Sequence, residues 1–302
     1  MGLRKATMTD AEQREKIYSD EVNYNHSLIN AAELISKTDT KLLLLAGPSC
    51  AGKTTTSKRL SANLIKRGRG ISVISLDDFY LGPDKSPKTP DGKPDFESIY
   101  ALDLPYIQQC FSDLVKGKIV ETPTFDFNLH ARTDEYHEIK LGEGDICIVE
   151  GLHALNPLIV SDLVEPKYVF KLFLESYQDS QALEKTRVLR RLVRDFHYRS
   201  SDANRTFEMW DNVVSSELIN IIPFSRYANA TINTYFGYET GVLKKPALEV
   251  LDTLEKGSKY QDFAEQIRNS LEYVHSIPLD MVPKDSLLQE FIPPASVWNR
   301  YK

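Results

Sequence analysis

Cysteine is scarce in this 302-residue chain. Cys50, Cys110 and Cys147 lie far apart with no C-x-x-C pair, which excludes a disulfide framework and a cysteine-based zinc site. Basic charge is not in excess. Thirty-seven Lys and Arg against 43 Asp and Glu give a net charge of −6, so the general electrostatic footprint of a nucleic-acid binder is missing. Long apolar runs are missing too. The longest purely aliphatic stretch, Leu42–Leu45, falls far short of the ~20 residues a membrane span needs. No basic segment followed by an apolar stretch opens the sequence, and Ala6 stands where a myristoylation signal has Ser or Thr. The expectation is a cytoplasmic protein with neither a nucleic-acid nor a membrane partner. With 41% hydrophobic and 26% charged residues, it has ordinary globular composition.

The hydrophobic pattern alternates between short buried runs and helical periods. Residues 1–40 carry Ile17, Tyr18, Val22, Leu28, Ile29, Ala32 and Ile35 at helical spacing, which predicts an N-terminal helical extension. Leu42–Ala46, Ile71–Leu76, Asp145–Val149, Tyr168–Leu174 and Ala230–Tyr235 read as strands. Thr54–Arg67, Leu102–Val115, Gln181–Tyr198 and Phe207–Ile219 read as helices, and residues 82–98 as a loop. Strands alternating with helices predict an α/β fold with a parallel sheet flanked by helices. The expected organisation is an extension over 1–40, a main domain over 41–240 and a helical tail over 241–302, with Phe263, Ile267, Leu271 and Val274 periodic in the tail.

Between the first strand and the first sheet helix lies Gly47-Pro48-Ser49-Cys50-Ala51-Gly52-Lys53-Thr54, followed by Thr55. It fits G-x-x-x-x-G-K-[ST]. Glycines let successive N–H groups turn inward around phosphate oxygens. The lysine reaches the β- and γ-phosphates and the threonine hydroxyl binds Mg²⁺. The following helix points its N-terminal partial charge at the same place. The sequence argues against a GTPase, because D-x-x-G occurs nowhere in it. Two acidic positions fall at strand ends, where an open α/β sheet binds its ligand. Asp77-Asp78 follows the second strand, and Glu150 follows Ile146–Val149. An aspartate there can take a hydroxyl proton, and a glutamate can hold a metal directly or through water.

Together these residues resemble the uridine kinase and phosphoribulokinase family of P-loop kinases. The resemblance runs in order through Gly47–Thr54, Ser75–Tyr80, Pro123–Phe127 with His130 and Arg132, Ile148–His153, Thr186–Arg199, Trp210–Pro223 and Ala228–Asn233. It covers about residues 40–235; the stretch around Val282–Phe291 is similar to the tails of longer microbial uridine-kinase-like proteins. The resemblance implies a P-loop kinase with a helical lid that uses ATP and Mg²⁺. The implied acceptor is a small molecule, most simply uridine or cytidine at its 5′-hydroxyl. Asp77 is the implied general base, Lys53 the phosphate-binding lysine, and Thr54 and Glu150 the metal side. Tyr80, Glu97, Phe125, Phe127 and His130 are the implied acceptor contacts. Arg187, Arg190, Arg191 and Arg194 recur at i, i+3, i+4 and i+7, so they share a helical face. They are expected to form a basic stripe clamping phosphates, with Arg187 also touching the sugar. Oligomerisation is common in the family, without a number fixed here.

The sequence also departs from the family's pattern. Phe96-Glu97-Ser98-Ile99 replaces the usual Phe-Asp-His-Pro. Phe125 replaces a tyrosine, and Ser216-Glu217 replaces Gly-Glu. Cys50 stands in the loop where Gly, Ala or Ser is more usual. These changes bear on the acceptor. A kinase for a sugar phosphate or pantothenate, or a nucleotide-binding regulatory protein without catalysis, remain the alternatives.

Overall fold

The computed structural model describes residues 8–89, 92–126, 129–176 and 183–301. The strands are β1 (Leu42–Ala46), β2 (Ile71–Ser75), β3 (Val120–Asp126), β4 (Ala131–Ile139), β5 (Ile146–Glu150), β6 (Val169–Glu175) and β7 (Ala230–Asn233). The helices are α1 (Asp10–Ser36), α2 (Lys53–Ile65), α3 (Leu104–Val115), α4 (Leu183–Arg199), α5 (Ala203–Asn220), α6 (Glu239–Leu251) and α7 (Gln261–Glu272). Five strands form a parallel sheet in the order β2-β5-β1-β6-β7. β1 is central and buried along its whole length, as its unbroken apolar run requires with helices on both faces. Its alternating side chains divide the interior. Leu43 and Leu45 enter one core, and Leu42 and Leu44 the other.

The parallel α/β architecture is as expected. The N-terminal extension is a single helix. Thr9 caps α1 in a reciprocal capping box with Glu12, which satisfies orphan N–H groups at its start. Ile17, Tyr24, Leu28, Ala32 and Ile35 of α1 lie in the same hydrophobic cluster as Leu60 of α2, Leu192 of α4, Val242 of α6 and Leu287 of the tail. That cluster runs through all three stretches drawn at residues 40 and 240, and α6 itself begins at Glu239.

Three elements, β3, β4 and α6, were not legible in the pattern. β3 and β4 pair antiparallel as a separate hairpin with an irregular register between Pro123 and Phe125. Pro123 inside the run argues against a strand, and β4 has no buried residue and is mostly polar or charged, so it has no apolar period. α6 carries Pro246 within it, which normally reads as a helix stop. Burial of Val242, Leu243, Ala247, Val250 and Leu251 outweighs that local signal.

Candidate active site

The parallel register brings Ala46, Ser75 and Glu150 to one edge of the sheet, with Ser75 opposite Glu150. The phosphate loop leaves that edge between β1 and α2. Two of its glycines are geometrically required. A Cβ on Gly47 would stand 2.8 Å from the Leu174 Cβ, and Gly52 has φ +79° with Leu287 packed against it. Loop carbonyl oxygens are held from behind. Arg187 donates to Ser49 O (3.1 Å), Arg190 to Cys50 O (3.0 Å) and the Thr234 hydroxyl to Ala51 O (2.8 Å). The Ser49 N–H is taken by Glu217 Oε1 at 2.6 Å. Lys53 Nζ folds back onto Gly47 O (3.0 Å) and Pro48 O (3.2 Å).

Thr54 Oγ1 donates to Glu150 Oε1 at 3.3 Å. A hydroxyl and a carboxylate side by side at the loop suit Mg²⁺, which takes few protein ligands and completes its shell with phosphate and water. Burial raises the Glu150 carboxyl above its ordinary range, with Lys53 opposing. Asp77 lies in a short 3-10 turn (Leu76–Phe79) just beyond β2. Burial raises its carboxyl too; the Lys53 charge opposes the rise and Asp78 adds to it. Lys53, Thr54, Asp77 and Glu150 are therefore brought together.

Asp78 is engaged differently. Its Oδ1 accepts the Phe125 N–H at 3.2 Å, which ties the β3–β4 hairpin to the sheet edge. Arg132 makes a second tie, donating to the carbonyls of Phe79 (2.8 Å) and Tyr80 (3.1 Å) and to Asp103 (3.1 Å). On the expected acceptor side, Tyr80 packs on Phe125 with ring centroids 5.6 Å apart and donates its hydroxyl to Phe96 O at 3.0 Å. Phe125 is buried in the core under the hairpin. His130 is exposed and stacks on Phe96 at 6.1 Å and 16°. Phe127 lies outside the described residues. A cavity of about 480 Å³ runs from Phe96 and Glu97 to Arg205, Met209 and Asn212 of α5.

The exposed basic stripe is not what the fold builds. Arg190 is 0% exposed and forms a two-point pair with Glu239. Arg187 is likewise buried, paired with Glu217 at 2.8 Å and set over the Trp210 ring. Arg191 is buried with Asp195 and donates to the Ser49 hydroxyl at 3.1 Å. Val188, Leu189, Leu192 and Val193 are buried as well, so from Thr186 to Val193 α4 is enclosed on every side. The physical reason is that Glu217 and Glu239 come from α5 and α6 to neutralise the guanidinium groups, which helical spacing alone does not reveal. Arg187 and Arg190 grip the back of the loop. Arg194, paired with Asp195 at 2.8 Å, and Arg199 do line a cavity next to Thr54 and Thr55.

Glu217, Thr234, Glu239, Leu287 and Glu290 are contacts to the loop or its arginines that sequence reasoning did not single out, beyond noting Ser216-Glu217 as a departure. Glu290 accepts the Thr55 hydroxyl at 2.6 Å. No spacing links residues 235 positions apart.

Burial pushes the Glu97 carboxyl up to about 7, with Arg191 opposing and Glu217 adding to it. The folded chain thus keeps a proton on Glu97 between pH 4.5 and about 7 that the unfolded chain releases. Its contribution to stability is present below pH 4.5 and is lost as the pH rises toward about 7. Glu97→Gln removes this loss. The variant is expected to match the parent in urea unfolding near pH 4.5 and to exceed it by about 2–3 kcal/mol at pH 8. An equal difference at both pH values would show that Glu97 does not titrate in this way.

A model of the phosphoribulokinase / uridine kinase family matches residues 42–236. A uridine kinase of Macrococcus caseolyticus is 30% identical over 194 residues, 64% of this chain and 87% of that protein. A uridine kinase of Staphylococcus haemolyticus is 29% identical over 218 residues, 71% of this chain and 95% of that protein. Among solved structures, a phosphoribulokinase from Rhodobacter spheroides aligns with a TM-score of 0.45 at 12% identity, covering 65% of this chain and 70% of its own.

Proposed function

Starting from the fact that the chain belongs to the phosphoribulokinase / uridine kinase family and is a P-loop kinase, we propose that it transfers the γ-phosphoryl group of ATP to the 5′-hydroxyl of a pyrimidine nucleoside, uridine or cytidine. The observation that carries the reading is the convergence of Lys53, Thr54, Asp77 and Glu150 at one edge of the sheet. Thr54 and Glu150 would hold Mg²⁺, which would supply charge neutralisation on the phosphates. The chain's own contribution is placement. Arg187, Arg190 and Thr234 hold the carbonyls of Ser49, Cys50 and Ala51. The Ser49 and Ala51 N–H groups are taken by Glu217 and Pro48 O, and the N–H groups at the start of α2 are the ones that would meet a phosphate. Lys53, now resting on Gly47 O and Pro48 O, exchanges those carbonyls for phosphate oxygens. Asp77 receives the acceptor's proton. Phe96, His130 and Glu97 offer the acceptor a stacking face and a carboxyl group that can meet its hydroxyls.

The 29–30% identity to proteins named uridine kinases supports the choice of acceptor. Glu97 in place of aspartate is the feature that weighs for a different hydroxylated metabolite. A screen of ATP with uridine, cytidine, purine nucleosides, pantothenate and sugar phosphates decides between them, read as ADP release and as phosphorylated product. The expected outcome is a pyrimidine nucleoside leading the panel by at least about tenfold in kcat/KM, the scale of one well-placed hydrogen bond. A sugar phosphate or pantothenate in first place would replace the acceptor and leave the phosphoryl chemistry standing. No ADP release with any acceptor would favour the regulatory alternative.

A further inference from the structure

Next to the phosphate loop is a cavity of about 710 Å³. Thr54, Thr55, Lys58 and Arg59 of α2 form one wall, and Arg194, Tyr198 and Arg199 of α4 form another. The remaining wall is Lys284–Glu290, which lies beyond the family-matched residues 42–236. This part of the tail is firmly seated. Leu287, Leu288 and Phe291 are 0% exposed. Leu287 fills the space in front of Gly52, so closely that a Cβ there would meet it at 2.6 Å. The Arg190 guanidinium lies 5.0 Å from the Phe291 ring centroid. Ser286 Oγ accepts the Leu288 N–H at 3.1 Å, and Gln289 Nε2 donates to Pro283 O at 3.0 Å. The turn is thus fixed internally as well as packed against the loop.

Two carboxylates line this wall; Asp285 lies 3.9 Å from Arg59, and Glu290 is the one hydrogen-bonded to Thr55 beside the phosphate loop. Arginines and helix N–H groups suit phosphate; a carboxylate does not. Glu290 Oε2 already accepts a hydrogen bond from the Thr55 hydroxyl at 2.6 Å, and its Oε1 makes no hydrogen bond among the described residues. A carboxylate acts only as an acceptor, and it suits a hydroxyl or a vicinal diol. Resting on the reading of the phosphate loop as the donor-nucleotide site, we propose that Lys284–Glu290 completes that site and that Glu290 accepts a hydrogen bond from the ribose hydroxyls of the donor nucleotide. The tail then contributes specificity for a ribonucleotide as well as packing. Leu287 sets the position of the wall, and Glu290 reads the sugar.

The test is equilibrium binding of ATP, 2′-deoxy-ATP, 3′-deoxy-ATP and inorganic triphosphate, each with Mg²⁺, to the full chain and to Glu290→Gln. The parent is expected to prefer ATP over at least one deoxy analogue by about tenfold, the worth of a hydrogen bond to a charged group. Glu290→Gln should bring that ratio to about twofold or less while triphosphate binds no more weakly. Retained triphosphate binding also reports that the variant is folded. If the variant keeps the parent's ATP-to-deoxy ratio, the proposal is overturned. It is equally overturned if ATP and triphosphate both tighten by the same factor, which would make Glu290 an internal anion competing for the phosphate site. A parent chain that binds neither ATP nor triphosphate would overturn the phosphate-loop reading itself.

Discussion

Asp77→Asn is expected to lower kcat by about 10²–10⁴-fold, the usual worth of general acid–base catalysis, while ATP affinity changes little. A primary hydroxyl is a poor nucleophile at neutral pH until its proton has somewhere to go. Asp77 stands past the end of β2, beside Lys53 and the Glu150 edge. Burial raises its carboxyl above the ordinary aspartate range, which moves it toward the working pH where a base is most effective. The asparagine keeps the shape and loses the basic oxygen. In the parent, kcat should fall as the pH drops through this raised carboxyl, so the acid limb should lie above the ordinary aspartate range. In Asp77→Asn that limb should disappear from the residual activity. Asp78 is the control, because its Oδ1 is committed to the Phe125 N–H. Asp78→Asn should act mainly on the acceptor's KM by loosening the hairpin. Steady-state kinetics of both variants with the best acceptor decide the matter. A severe kcat defect in Asp78→Asn beside a near-normal Asp77→Asn would reverse the assignment.

Arg190→Met is expected to destabilise the fold by about 3–5 kcal/mol, the cost of removing one partner of a buried ion pair. Arg190 and Glu239 are each 0% exposed. The same guanidinium also serves Cys50 O and Thr234 O, so its loss leaves an uncompensated carboxylate and two carbonyls short of a donor. Chemical denaturation measures the effect directly. The double variant Arg190→Met/Glu239→Gln should recover part of the loss, because the stranded charge is gone. A phosphate-clamping arginine predicts the opposite pattern, with unchanged stability and a collapse in kcat. A normal denaturation midpoint in Arg190→Met with abolished turnover would restore the clamp.

Much of this protein is determined by its sequence alone, and the reason is that the relevant signals are local. The phosphate loop is contiguous, because a glycine turn between a strand and a helix must carry its own N–H groups and lysine. The buried strands are equally local; Leu42–Ala46 and Ile146–Val149 are apolar along their length because both faces of a parallel sheet are covered. Asp77 and Glu150 follow from those strands, since the carboxyl ends of the strands face the crevice. Only the tertiary structure decided the role of the α4 arginines. Their spacing is the same for a solvent-facing stripe and for a buried row, and the difference is made by Glu217 and Glu239, which arrive from other helices. It also decided the tail. Nothing local marks Leu287 or Glu290 as neighbours of Gly52 and Thr55, and the contact exists because α1, α4, α6 and the tail share one hydrophobic core that closes on the phosphate loop.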